Sequence, residues 1–118
     1  MICGLLNREC DLYPFKTGWS LHDLVTGETA NRVGDLVVPS ASTRKVAFLM
    51  TAMQAVNRGE LSLEEPVTNY ERWQISDSGA FQFFRPGFTI RMHDVLLLVI
   101  IVSDNACTGI VCDRRGLM

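Results

Sequence analysis

The sequence has no basic run among its 118 residues, and its formal charge is -2. It therefore carries no electrostatic footprint for nucleic acid or for an anionic membrane surface. Long apolar runs are also lacking: Val95 to Val102 spans eight residues, far short of the roughly 20 that cross a bilayer, and reads as a core helix. The four cysteines, at 3, 10, 107 and 112, form no Cys-x-x-Cys pair, and His22 and His93 stand alone. That leaves no ligand set for a metal, and neither metal nor cofactor is expected. Cys107 and Cys112 are five apart on a predicted helix and point to different sides, which argues against a disulfide without local unwinding; they read as small buried hydrophobes. Residues 1 to 6 lack the basic n-region, apolar length and cleavage pattern of a secretory signal.

What is present centres on Ser42-Thr43-Arg44-Lys45, where a predicted strand gives way to a long helical pattern. A serine at a helix N-terminus lies among unpaired backbone N–H groups, where the macrodipole favours negative charge. Lys45, three residues on, shares its face. A lysine takes a proton from a serine hydroxyl only when burial or nearby positive charge lowers its pKa. The residues beyond, Val46 to Val56, are apolar nearly all round, which predicts a helix inside a core.

Sixty-one residues after Ser42, directly behind the apolar run, stands Ser103-Asp104-Asn105, followed by the small residues Ala106, Cys107 and Thr108. Ser-x-x-Lys followed by Ser-Asp-Asn, in this order and rough separation, resembles the class A serine β-lactamases and the related penicillin-binding proteins. The resemblance extends to Gly18–Glu28, similar to that family's first hairpin, and to Val38–Ser42, similar to its approach to the nucleophile.

It implies an α+β fold, of which the chain would hold the N-terminal part: a β-hairpin and a mostly helical lobe. Residues 1–118 then form a single incomplete domain, with 1–37 as N-terminal segment and hairpin and 38–118 as the lobe bearing both motifs. Along the chain, Pro14 ends any first helix, Trp19 to Val25 and Thr29 to Val33 form the hairpin around Thr26-Gly27-Glu28, and Gly59 ends the nucleophile helix near Asn57. Ser62-Leu63-Glu64-Glu65 reads as a capping box on a helix kept short by Pro66. Residues 67 to 87 read as loop, with Phe81, Phe83 and Phe84 as packing aromatics. Thr89 to Val102 reads as the second buried helix, with His93 and Asp94 complementing its start.

The resemblance also implies roles. Ser42 would be the acyl-accepting nucleophile, Lys45 its base or proton relay, and Ser103 the group that passes a proton to the leaving nitrogen. Asn105 would bind Lys45 and the substrate's amide, and Asp104 would hold its own loop. Ser42's backbone N–H would supply one oxyanion donor. The substrate would be a β-lactam or a peptidoglycan-like peptide, met in the periplasm or outside the cell. Two family features are expected to be missing. Lys16-Thr17-Gly18 precedes both motifs, whereas the family's Lys-Thr-Gly follows them, so it reads as a loop. No glutamate follows Asn105 to activate the deacylating water, and Glu60, Glu64, Glu65 and Glu71 read as surface charges. The expectation is an acylation half-site with negligible turnover, on a chain whose exposed apolar surface favours self-association or a complementing C-terminal chain. The alternatives are a penicillin-binding DD-peptidase or a non-catalytic fragment.

Overall fold

A computed structural model describes residues 2–74 and 77–114. Main-chain contacts divide the chain into two units, Met1–Pro39 and Ser40–Met118.

In the first unit a helix, α1 (Ile2–Asp11), precedes an antiparallel hairpin of β1 (Trp19–His22) and β2 (Thr29–Arg32). Trp19 pairs with Arg32 and Leu21 with Ala30. The turn is an Asx turn: the Asp23 carboxylate accepts from the amides of Val25 (2.8 Å) and Thr26 (2.9 Å), and Gly27 takes φ +76°, open to glycine at little cost. These amide donors, Thr26 first, hold the Asp23 carboxyl below its ordinary range. Arg32 ties the hairpin to α1 through the Asn7 carbonyl (3.0 Å) and Asp11 (2.7 Å). Lys16, Thr17 and Gly18 lie outside helix and strand, ahead of β1.

In the second unit a 3-10 turn, Ala41–Arg44, leads into α2 (Lys45–Asn57). Gly59, at φ +73°, ends α2 in a Schellman arrangement, with Glu60 N donating to Ala55 O (2.9 Å) and Gly59 N to Val56 O (3.0 Å). The expected short helix after Ser62 does not form. Ser62 Oγ accepts from Glu64 N (3.2 Å) in a turn, and Pro66–Thr68 is β3, antiparallel to β4 (Thr89–Arg91). Pro66 suits the first position of a strand, and Val67, Thr68, Thr89 and Ile90 favour the pleat.

The second buried helix therefore begins later than the apolar pattern suggests. It is α3, Met92–Ile101, and Glu65 and Leu63 supply the carbonyls that accept from Met92 N and His93 N, both at 2.9 Å. The turn read as a helix start thus satisfies the first amides of a different helix. His93 Nδ1 and Asp94 Oδ1 lie 2.8 Å apart in that first turn. A last helix, α4 (Asn105–Asp113), follows.

The core joins these helices. Ala52 and Ala55 of α2 meet Met92, Val95, Leu96 and Val99 of α3 and Ala106, Cys107, Ile110 and Val111 of α4, with Leu61 and Phe81 closing it. Phe81 also stacks edge-on against Phe84 and Phe88, whereas Phe83 is exposed. The core-type helices are partly exposed: beyond Lys45 α2 buries Ala52 and Ala55 alone, and Val46, Met50 and Met53 are exposed, as are Leu97, Ile100 and Ile101 of α3. Among the described residues no helix is long and apolar enough to cross a membrane.

Candidate active site

Ser42 sits exposed in the 3-10 turn that opens α2. Ala41 before it has φ +46°, a left-handed conformation uncommon for a residue with a Cβ. Thr43 closes the turn onto Ser40 O through its backbone N–H (3.1 Å) and its hydroxyl (2.5 Å).

Lys45 is 3% exposed. Its ammonium donates to Ser103 O (2.5 Å), Ser103 Oγ (2.9 Å) and Asn105 Oδ1 (2.6 Å), which occupies its three donors. Burial pushes Lys45 below the ordinary lysine range; Asp104 opposes that shift, Arg44 adds to it and Cys107 opposes it. The structure thus brings Lys45, Ser103 and Asn105 into one cluster. Ser42 stands one turn from Lys45, and no hydrogen bond joins its hydroxyl to the ammonium.

Ser103 has φ +55°, and Asp104 is fully buried. Asp104 caps α4, accepting from Cys107 N at Oδ1 (2.9 Å). Its other oxygen accepts from Ala80 N (2.7 Å) and Phe81 N (2.9 Å). The carboxylate therefore holds a second loop besides its own. From that loop Ser78 Oγ donates to Ser103 O (3.1 Å), and Ser78 O accepts from Asn105 N (2.9 Å). Gly79, at φ +104°, lies so close that a Cβ there would collide with the Asp104 carboxyl. Sequence reasoning missed Ser78 and Gly79; the turn composition of Asp77-Ser78-Gly79 was the available signal.

The remaining candidates lie elsewhere. Glu60 pairs with Arg58 (2.8 Å), Glu64 with Arg91 and Glu65 with Arg114 (2.7 Å), while Glu71 is exposed in the 3-10 turn Glu71–Trp73. All four cysteines are free, and burial pushes the Cys107 thiol well up, which makes it inert. Among the described residues no cluster of His, Cys, Asp or Glu could hold a metal ion.

The family model described as the beta-lactamase enzyme family matches residues 5–118. Solved structures are similar as well. PBP-A, seen both on its own and as an acyl-enzyme complex with penicillin-G, is 29% identical over 96% of this chain and 43% of its own, with a TM-score of 0.86. The beta-lactamase from Sphaerobacter thermophilus is 29% identical over 76% of this chain and 34% of its own, with a TM-score of 0.72. An ancestral class A beta-lactamase, 19% identical over 98% of this chain and 44% of its own, shares the fold at a TM-score of 0.86. No curated protein sequence matches. The chain spans less than half the length of the solved structures it matches. A match to the family model over nearly every residue, on a fold whose buried lysine joins the two motifs, establishes that the chain belongs to the beta-lactamase enzyme family.

Proposed function

We propose that this protein is a serine hydrolase of the β-lactamase type, in which Ser42 is acylated by a β-lactam or a related peptide. The observation that carries the reading is the seating of the Lys45 ammonium on Ser103 and Asn105. Burial supports the neutral form of this lysine. Neutral Lys45 keeps two N–H groups, enough for Ser103 O and Asn105 Oδ1, and gains a lone pair that accepts the Ser42 proton.

Ser42 Oγ then bonds to the acyl carbon while the Ser42 backbone N–H faces the developing oxyanion. The carbon–nitrogen bond breaks as Ser103 Oγ gives its proton to the leaving nitrogen and recovers one from Lys45. Asn105, on the same reading, binds the amide of the substrate's side chain. On this reading the protein works in the periplasm or outside the cell, where its substrates are met.

A penicillin-binding DD-peptidase is the second reading, supported by the acyl-enzyme complex with penicillin-G seen for a mutant of PBP-A, which is 29% identical over 96% of this chain. The exposed apolar residues of α2 and α3 support association with a second polypeptide. The test is intact-mass measurement after incubation with benzylpenicillin. The expected result is one adduct that Ser42→Ala abolishes, persistent for a peptidase and short-lived for a lactamase. An unmodified protein with the substrate intact defeats the proposal.

A further inference from the structure

Ser78 belongs to neither motif, yet its two polar groups bracket the second one. Its hydroxyl donates to Ser103 O (3.1 Å) and its carbonyl accepts from Asn105 N (2.9 Å). Asp104, between those residues, reaches back to the amides of Ala80 and Phe81. Segment 78–81 and residues 103–105 are therefore laced together by four hydrogen bonds in both directions. The lacing holds Ser103 directly through its carbonyl and on its C-terminal side through Asp104 and Asn105; its φ of +55° is disfavoured for a residue with a Cβ and persists only when its surroundings over-determine it.

We propose that Ser78 is a positioning residue of this site: its hydroxyl shares the Ser103 carbonyl with Lys45, fixing the left-handed peptide and restraining that carbonyl's hold on the ammonium. The proposal rests on the reading of Lys45 as the base. A carbonyl oxygen has two lone pairs, and here Lys45 Nζ takes one and Ser78 Oγ the other. A second donor draws electron density from that oxygen, so the charged lysine gains less from it. Removing the Ser78 hydroxyl favours the ammonium over the free amine, the form that takes the proton from Ser42. The other charged and titratable groups acting on Lys45 are Asp104, Arg44 and Cys107, and a substitution at position 78 leaves all three in place.

The chain has two lysines, Lys16 and Lys45, so lysine labelled with carbon-13 at Cε gives two NMR signals, and Lys16→Arg assigns them. In Ser78→Ala the Lys45 titration is expected to move up by about 0.5 pH, the free-energy scale of one neutral hydrogen bond. Acylation by benzylpenicillin below the midpoint is expected to fall about threefold, its acid limb moving in step. Ser78→Thr, which keeps a hydroxyl, restores both, and Ala80→Gly, which loosens the same loop, leaves the titration unchanged. A Ser78→Ala protein with a lowered unfolding midpoint and an unmoved Lys45 titration overturns the proposal. A moved titration in a protein that takes no benzylpenicillin adduct overturns the acylation reading alone, and the positioning of Lys45 by Ser78 stands.

Discussion

The Lys45 ammonium and the Ser103 carbonyl oxygen meet at 2.5 Å although 58 positions separate the two residues in sequence. The first residue of α2 is thereby bound to the loop between α3 and α4, which makes this lysine a structural tie as well as the proposed base.

Both roles are separable by substitution. Lys45→Arg keeps the charge but cannot be deprotonated, so acylation should fall at least a hundredfold, the low end of a general base's contribution. Lys45→Met should abolish acylation and also cost about 1–3 kcal/mol of stability, because it removes three buried, charge-assisted hydrogen bonds to Ser103 and Asn105. Adduct formation and urea unfolding of the two variants check this.

The direction of the Lys45 shift fixes two pH dependences. Its folded-state pKa lies below 10.5, so between the two values the unfolded chain binds more protons than the folded one. Stability from this group is therefore lowest below the folded pKa and rises with pH up to about 10.5. Acylation should rise over an acid limb with its midpoint below 10.5, and Lys45→Arg should remove that limb. Rates and urea midpoints measured across pH read out both.

Asp104→Ala should be among the most destabilising single changes in the second unit. It strips the acceptor from the amides of Cys107, Ala80 and Phe81 in a fully buried place, and about 3 kcal/mol is the expected loss. Gly79→Ala should approach it, through a positive φ and a collision with the same carboxyl. Gly59→Ala, where a Cβ meets nothing within 4 Å, should cost about 1 kcal/mol for its backbone alone. Equal unfolding midpoints for the two alanine-for-glycine variants would contradict this ranking.

The exposed faces of α2 and α3 should bind a hydrophobic dye. Met50, Met53, Leu97, Ile100 and Ile101 are all more than 40% exposed, a larger apolar presence than single scattered residues make. Met53→Glu combined with Ile100→Glu should lower dye fluorescence at least twofold while leaving α2's buried alanines untouched. Unchanged fluorescence would place the dye elsewhere.

The clustering of Lys45, Ser103 and Asn105 was legible because the two motifs single out those side chains at fixed spacing, and Gly59 announced the end of α2. Pro66 misled, since the same residue that shortens a helix also opens a strand, and the partner strand lies 23 residues away. Apolar composition likewise could not say which side of α2 is covered, because its periodicity is nearly uniform. Ser78 was illegible for another reason: a serine in a turn is ordinary until the loop it must hold is known.

The left-handed Ser103 sets stability and chemistry at odds. Glycine adopts its φ of +55° without the roughly 1–2 kcal/mol that a Cβ costs there, so selection for a sturdier fold alone would drift this position to glycine. That drift would erase the hydroxyl 2.9 Å from Lys45. On the proposed reading the hydroxyl serves reactivity and not the fold, and variants selected only for thermal resistance should lose it before they lose Asp104.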